Sequence, residues 1–194
     1  GITLFHSDAL KLKGKHNILN LLLATAAARK IGLTGKDIKN SLKTYKQLPH
    51  RLEIIHKTKN LEIINDSKAT NFDSSFSGIK SLEKGQIIII GGRIKEGDSE
   101  IWSNIILEKC QGVFIYGESS KELKLILLKA GFKEDIFIHN ELKDLIPKAM
   151  NHIKKKKLKI LLFSPACSSF DQFRDYEERG NHFKFLVKKY LPKK

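Results

Sequence analysis

The sequence predicts an open α/β domain of Rossmann-like type, with a mostly parallel sheet of about six strands flanked by helices and a short helical segment before it. Short apolar runs alternate with helical patterns along most of the chain, which is typical of repeated β-α-β units. Two of these runs, Ile87–Ile90 and Ile160–Phe163, are apolar without interruption. Such runs indicate strands that are buried on both faces, as in a parallel sheet.

Two helices are predicted first. The alanine- and leucine-rich segment 17–31 has helical spacing and is followed by Gly32, a typical helix end. Its apolar stretch "LNLLLATAAA" (19–28) predicts a buried helix. A second helix is predicted over 36–45, before the proline of "QLPHR" (47–51).

That proline, with the change of hydrophobic period around it, indicates a domain boundary. We therefore divide the chain into a helical part, residues 1–48, and a longer α/β part, residues 49–194. In the longer part the predicted strands are 52–56, 61–65, 86–90, 113–116, 136–138 and 159–163. The predicted helices are 71–82, 100–109, 119–130, 141–154 and 176–191. We expect the first two strands to form a hairpin and the others to follow the β-α-β pattern.

The composition is that of an ordinary soluble globular protein, with 41% hydrophobic and 29% charged residues among 194. No apolar run approaches the roughly 20 residues that span a bilayer, and the first residues lack the pattern of a secretory signal. The two cysteines, Cys110 and Cys167, have neither metal-ligand nor disulfide spacing. We therefore expect a cytoplasmic, monomeric protein with no membrane partner and no structural metal.

The net charge of +15 raises the hypothesis of nucleic-acid binding. The lysines, however, are spread along the chain, and the dense run Lys154–Lys157 stands just before an apolar strand. Such a run is typical of a solvated helix end, and no nucleic-acid-binding motif accompanies it. We expect no nucleic-acid partner. A basic nucleic-acid-binding domain stays an alternative, and it would show strongly salt-dependent binding.

Polar side chains follow three of the predicted strands. The segments are Asn65–Asn71, "GGRIKEGD" (91–98) and "SPACSSFDQFRDYEERG" (164–180). In open α/β sheets ligands bind outside the carboxyl ends of the strands, so the three segments are expected to form one polar rim. Lysines, hydroxyls and backbone N–H groups in that position favour an anionic ligand.

Each segment also has a simpler interpretation. Asp66 or Ser67 could cap the following helix, and Gly91–Gly92 could be an ordinary tight turn. Cys167 is interpreted as a buried small residue rather than a nucleophile. The serines of the third segment could be helix-entry residues. The chain contains no GxxxxGK[ST] stretch, and therefore no phosphate-binding loop of that type.

Five motifs occur in order along nearly the whole chain and give it a resemblance to a known family. They are "GKHNILN" (14–20), "LPHRLE" (48–53), "NDSKATN" (65–71), "GGRIK" (91–95) and "SPACSSFDQFRDYEERGNHF" (164–183). With them the chain resembles the Mur ligases, and within that family the members that add D-glutamate. Members that add other amino acids, and the folate-glutamylating enzymes, usually carry an Ala-His-x-Pro type of motif where this chain has Ser-Lys-Ala-Thr-Asn.

The resemblance implies a three-domain enzyme of which this chain is a fragment. Residues 1–48 resemble the end of the central ATP-binding domain, and residues 49–194 the C-terminal amino-acid-binding domain. The implied reaction is ATP-dependent: the carboxylate of UDP-N-acetylmuramoyl-L-alanine becomes an acyl phosphate, which the amine of D-glutamate attacks, in the cytoplasmic synthesis of peptidoglycan precursors. The phosphate loop and the Mg²⁺ ligands are expected upstream. The chain alone is therefore expected neither to hydrolyse ATP nor to form product.

The resemblance also implies roles for residues of the amino-acid site. Lys68 and Thr70 match the family's residues at the glutamate and reaction site. Lys95 matches a lysine that faces a glutamate carboxylate, and Ser169 a hydroxyl that binds the same amino acid. Tyr176 stands where some relatives have a phenylalanine beside the glutamate.

For ATP, the resemblance implies three further residues. Asn20 matches an asparagine on the adenine side, Arg51 a hinge arginine that reaches the phosphates, and Asp66 an acid near the ribose. A guanidinium at a hinge can bind phosphate in the closed state only. His16 and Asn17 belong to the first motif, and helix capping is an equal interpretation for them.

Two alternatives stay open beside the D-glutamate-adding ligase. The chain could belong to a Mur-type ligase for another amino acid. It could also act only as a D-glutamate- or nucleotide-binding module.

Overall fold

The computed structural model describes residue 4, residues 15–45 and residues 47–191. The chain divides into two compact units, Gly1–Leu48 and Pro49–Lys194. Assignment of these units to the central and C-terminal domains of a ligase stays a prediction.

The first unit contains two helices, α1 (Lys15–Lys30) and α2 (Gly35–Thr44). Helix α2 begins with a reciprocal cap, because the Thr34 hydroxyl accepts from the Asp37 amide at 3.2 Å and the Asp37 carboxylate accepts from the Thr34 amide at 2.9 Å. Both predicted helices are therefore present. Gly14, which opens the first motif, lies outside the described residues.

The prediction that 19–28 forms a buried helix is wrong for most of its side chains. Leu19, Leu22 and Leu23 are 58%, 60% and 63% exposed, whereas Leu21 is buried. Leu21 and the buried Thr25 stand four residues apart and therefore share one face of α1. A single neighbouring helix can cover only one such stripe, which leaves the other leucines of α1 at the surface.

The second unit is built on one six-stranded sheet. Its strands are β1 (Glu53–Lys57), β2 (Glu62–Asn65), β3 (Gln86–Gly91), β4 (Cys110–Tyr116), β5 (Ile136–His139) and β6 (Ile160–Phe163). Their order across the sheet is β1-β2-β6-β3-β4-β5. β1 pairs with β2 as an antiparallel hairpin, and the other pairs are parallel. The predicted hairpin and the predicted parallel sheet are confirmed.

Five helices cover the two faces of the sheet. They are α3 (Phe72–Lys80), α4 (Glu100–Lys109), α5 (Ser120–Lys129), α6 (Leu142–Lys155) and α7 (Tyr176–Lys188). Helices α3, α4 and α5 pack with Ile88 and Ile90 on one face, and α6 and α7 pack with Ile87 and Ile89 on the other. All four isoleucines are fully buried, as the uninterrupted run predicts. In the described ranges, none of the helices combines the length and the apolar character needed to cross a membrane.

Strand β4 begins earlier than predicted, at Cys110 directly after α4. The stretch Cys110-Gln111-Gly112 has a glycine where a strand would usually carry a larger residue. A Cβ on Gly112 would lie 2.9 Å from the end of the Ile87 side chain and 3.2 Å from the His152 ring, so a larger residue here would have to displace these side chains.

Gly91 and Gly92 are not an ordinary tight turn. Their φ angles are 140° and 126°, a region that side chains rarely allow. A Cβ on Gly91 would overlap the carbonyl oxygen of Tyr116, and one on Gly92 would overlap that of Ser168. The two glycines therefore let the end of β3 approach the backbone of two neighbouring segments.

We expect Gly92→Ala to lower the free energy of unfolding by at least about 2 kcal/mol more than Gly131→Ala does. Both glycines have positive φ, at 126° and 93°, but a Cβ on Gly131 meets nothing within 4 Å. Comparison with Gly131→Ala therefore separates the effect of the steric overlap at Gly92 from the backbone strain that both variants share. Urea denaturation of both variants measures the difference, and equal losses would contradict the close approach at Gly92.

Candidate active site

The three polar segments predicted at strand ends come together at the carboxyl edge of the sheet. The segment after β3 joins the one after β6 through backbone hydrogen bonds: the Gly91 amide donates to the Pro165 carbonyl at 2.9 Å, and the amides of Arg93 and Ser168 each donate to the other's carbonyl, at 3.1 and 2.9 Å. The Ser168 hydroxyl also donates to the Arg93 carbonyl, at 3.0 Å. These contacts follow from the strand order, because β6 lies directly beside β3.

Asp66 joins the segment after β2 to the one after β6. Its carboxylate accepts from the Leu52 amide at 3.1 Å and from the Ser164 hydroxyl at 2.8 Å, and the residue is 5% exposed. Burial raises the pKa of Asp66 to about 7, although the two hydrogen bonds and the charges of Arg51 and Arg179 act in the opposite direction. Both oxygens of the predicted ribose-side acid thus accept hydrogen bonds from the protein itself.

The capping interpretation of these segments is wrong. Helix α3 is capped by Asn71, whose side-chain oxygen accepts from the Ser74 amide at 2.9 Å. Helix α7 is capped by Asp175, which accepts from the Glu178 amide at 2.7 Å. The capping residues, Asn71 and Asp175, lie further along the chain than predicted, because each segment first crosses the ends of the strands before its helix begins. The side chains of Asp66, Ser67, Ser164 and Ser168 make other contacts instead.

Lys68 and Tyr176 form a pair above the strand ends. The Lys68 ammonium donates to the Tyr176 hydroxyl at 3.3 Å and lies 5.0 Å from the centre of its ring. The Tyr176 hydroxyl donates in turn to the Glu177 carboxylate at 3.1 Å. The Lys68 backbone is held separately, since its amide donates to the His50 carbonyl at 2.9 Å. The half-buried ammonium is thus fixed over an aromatic ring.

His50 is a site residue that sequence reasoning missed. It is buried, its φ is 61°, and its Nδ1 lies 2.9 Å from the side-chain amide of Asn65. Burial lowers the pKa of His50, and the charge of Lys184 acts in the same sense. The neutral ring can then accept from the Asn65 amide. The sequence feature that could have identified His50 is its position in the motif "LPHRLE", directly before Arg51.

Arg179 is a second residue that was missed. Its side chain is fully buried, and its guanidinium donates to the Ser67 hydroxyl, the Ser67 carbonyl and the Cys167 carbonyl at 3.0, 2.7 and 2.8 Å. No local pattern could have revealed it, because Ser67 lies more than a hundred positions away in the sequence. An arginine in the charged stretch "RDYEERG" looks like a solvated side chain.

The remaining predicted site residues differ in their surroundings. Thr70 is half-buried, and Ser169 is 2% exposed with its carbonyl accepting from the amides of Gln172 and Phe173. Lys95 is exposed and lines a cavity of about 450 Å³ together with Phe72, Arg93, Ile94, Glu118 and Ser119. Asn20 is exposed on α1, in the other compact unit.

Cys167 lies in the candidate site, but its thiol is unreactive. It is fully buried, and burial raises its pKa to about 12. A thiol with such a pKa is almost entirely protonated at neutral pH and is a weak nucleophile. This agrees with its interpretation as a buried small residue.

The arrangement is suited to binding a small anion. The half-buried Lys68 and Thr70 lie at the carboxyl edge of the parallel strands, where such domains bind ligands. In the part of the chain that the structure describes, no group of three or more His, Cys, Asp or Glu side chains is placed to hold a metal ion. The fold is that of an α/β domain, with the candidate site at the carboxyl edge of its sheet.

Two curated proteins similar to this chain carry the same name. It is 56% identical over 98% of its length to the UDP-N-acetylmuramoylalanine–D-glutamate ligase of Prochlorococcus marinus strain MIT 9312, covering 41% of that protein. It is 58% identical over 91% of its length to the ligase of the same name from strain MIT 9515, covering 37% of it. Over nearly its whole length the chain is therefore similar to proteins of the Mur ligase family. It spans about two fifths of the length of these curated relatives.

Solved structures agree with this fold. The folylpolyglutamate synthase of Mycobacterium tuberculosis complexed with ADP matches with a TM-score of 0.70 at 14% identity, over 91% of this chain and 41% of that one. The UDP-N-acetylmuramate–alanine ligase of Thermotoga maritima matches with a TM-score of 0.67 at 18% identity, over 93% of this chain and 39% of that one. No family model matches the chain.

Proposed function

We propose that this chain is the amino-acid-binding, C-terminal portion of an ATP-dependent ligase that adds D-glutamate to UDP-N-acetylmuramoyl-L-alanine in the synthesis of peptidoglycan precursors. The similarity to ligases of that name over nearly the whole chain carries the proposal. The fixed Lys68–Tyr176 pair at the strand ends supports it. The proposal includes a cytoplasmic, monomeric enzyme that acts on small molecules and has neither a membrane nor a nucleic-acid partner.

The amino-acid substrate determines what the site must provide. D-glutamate carries two carboxylates, which need fixed cations and hydroxyls, while its amine must stay free to attack. We assign Lys95 and Ser169 to the carboxylates, and Lys68 and Thr70 to the end where the new bond forms. The Tyr176 ring limits where the Lys68 ammonium can lie.

The proposed chemistry is attack of the D-glutamate amine on an acyl phosphate of the muramoyl substrate. The C–N bond forms, the attacking nitrogen releases one proton to solvent, the tetrahedral intermediate collapses, and phosphate leaves with the electrons of the C–O bond. Lys68 stabilises the negative charge that develops on the oxygens of this intermediate, a contribution that is large where the donor is held in advance.

ATP supplies the phosphoryl group, and Arg51 is assigned to its phosphates. Asn20 is assigned to the adenine side and Asp66 to the ribose side. The carboxylate of Asp66 already accepts two protein hydrogen bonds, so its contact with a ribose would have to share an oxygen with Leu52 or Ser164. The Mg²⁺ ligands are proposed to lie in the part of the enzyme that this chain does not cover.

The test is turnover by the complete enzyme that contains this chain. Phosphate release would be measured with UDP-N-acetylmuramoyl-L-alanine, ATP, Mg²⁺ and a panel of amino acids that includes D- and L-glutamate. We expect selective turnover of D-glutamate. Selective turnover of another amino acid would overturn the substrate assignment, and binding of D-glutamate without any turnover would favour the binding-module alternative.

A further inference from the structure

Arg179 holds two separate segments of the candidate site through one side chain. It belongs to the first half of α7, and its exposed fraction is 0%. Two of its hydrogen bonds go to Ser67, at the hydroxyl and at the carbonyl, and the third goes to the carbonyl of Cys167. Ser67 directly precedes Lys68, and Cys167 directly precedes the serines 168–169. A planar guanidinium presents its donors in a rigid fork, so it sets the distance between these two segments.

Ser67 extends this connection to Tyr176. Its hydroxyl accepts from the Arg179 Nε at 3.0 Å and donates to the Tyr176 carbonyl at 2.8 Å. Both hydrogen-bonding functions of the hydroxyl are therefore used. Tyr176 is also the residue whose ring and hydroxyl contact the Lys68 ammonium. The Ser67 hydroxyl therefore links the backbone just before Lys68 to the backbone of Tyr176.

Gly180 supports Lys68 from the other side. A Cβ at Gly180 would overlap the imidazole of His50, so the ring packs directly on the helix backbone. The carbonyl of His50 then accepts from the Lys68 amide at 2.9 Å. The neighbouring pair Arg179 and Gly180 therefore holds the turn that carries Lys68 through two independent routes.

A guanidinium bonded to neutral oxygens in a closed interior is costly, because it loses its hydration without gaining an ion pair through those contacts. An apolar residue of similar size would fill the same volume but could not donate to the Ser67 and Cys167 carbonyls or to the Ser67 hydroxyl. The placement therefore indicates a role other than filling the core, and the contacts show which groups it orients.

We propose that Arg179 is a positioning residue that fixes Lys68 relative to the 168–169 segment, and that amino-acid binding and turnover depend on its fork geometry as well as on its charge. The proposal rests on the function proposed above. In the complete enzyme, Arg179→Lys keeps the charge and most of the volume but replaces the fork by a single nitrogen. It is expected to lower kcat by about 10- to 100-fold and to raise KM for D-glutamate, while KM for ATP stays within about 2-fold.

Two further variants keep the test decisive. Arg174→Lys changes an arginine just before α7 whose side chain is 85% exposed, and it is expected to leave the kinetics unchanged. Ser67→Ala keeps Arg179 and its carbonyl bonds but removes the hydroxyl link to Tyr176, and about a 3- to 10-fold loss of kcat is expected, since one link of several is removed. If Arg179→Lys does not fold, Ser67→Ala carries the test alone.

Amide hydrogen exchange separates this proposal from the proposed function, because it needs no turnover. In Arg179→Lys and Ser67→Ala the peptide containing Lys68 is expected to exchange at least about 10-fold faster than in wild type, with the core of the sheet unchanged. Wild-type exchange at Lys68 together with wild-type kinetics in both variants would overturn the positioning role. Uniformly faster exchange, with a lower Tm and unchanged KM values, would show a purely structural role and overturn it as well. An inactive wild type would reject the proposed function, and the exchange result would still decide the role of Arg179.

Discussion

Lys68→Met is expected to lower turnover of the complete enzyme by about 10³-fold, which corresponds to about 4 kcal/mol of lost transition-state stabilisation. Methionine keeps the unbranched stem and can still pack on the Tyr176 ring, but it removes the ammonium that lies 5.0 Å from the ring centre. Because the Lys68 amide is bonded to the His50 carbonyl, the backbone of the segment should stay in place. The loss would therefore report the charge rather than the fold.

Phosphate release at saturating D-glutamate, with D-glutamate affinity from calorimetry, measures this effect. Lys80→Met is the matched control, because the Lys80 ammonium also lies over a phenyl ring, that of Phe76 at 5.1 Å, but at the far end of α3. It should retain wild-type turnover. If Lys68→Met kept kcat within about 3-fold of wild type, Lys68 would not act at the reaction centre.

Asp66→Asn is expected to change how stability depends on pH. Burial raises the pKa of Asp66 from 3.8 in the unfolded chain to about 7 in the folded one. Between these values the folded state holds a proton that the unfolded state has released, so wild type loses stability as the pH rises through that window. A difference of about three pKa units corresponds to about 4 kcal/mol. The variant has no carboxyl group at this position. Its free energy of unfolding minus that of wild type should therefore rise by about 4 kcal/mol between about pH 4 and about pH 8.

Urea denaturation of wild type and Asp66→Asn across this pH range measures the difference in their free energies of unfolding. The other titrating groups are the same in both proteins, so their contributions cancel. The asparagine oxygen can accept from Leu52, and its amide can donate to Ser164, whose hydroxyl then turns to Ser75 at 3.2 Å. The control is Asp73→Asn, which makes the same substitution at an exposed position. A difference between Asp66→Asn and wild type that does not vary with pH would show that Asp66 is ionised throughout.

The regular elements could be predicted because their causes are local. The Ile87–Ile90 run is short, β-branched and followed by two glycines, which favours a buried strand, and the helices show their period in a single sequence. The rim of polar segments followed from a general rule about parallel sheets, and Lys68 and Tyr176 from their motifs. In the structure these two side chains are in contact.

The rest depended on contacts that no local pattern encodes. The cap of α3 is an exception, because Asn71 accepts from Ser74 three positions along and stands at the start of the predicted helix 71–82. Arg179 looks like a surface residue in sequence, and only the packing of α7 places it beneath Ser67. The surface position of most leucines of α1 has the same origin, since burial depends on which neighbours a helix has.

The burial of Cys167 has a consequence for covalent chemistry at this site. Cysteine-directed electrophiles such as maleimides and acrylamides react with thiolates, and the Cys167 thiol, with a pKa of about 12 and no exposed surface, offers almost none. Lys95, by contrast, is exposed on the rim of a cavity of about 450 Å³. A covalent probe for this domain would therefore need an amine-reactive group, such as an activated ester or an aldehyde, carried by a ligand that fits beside Lys95.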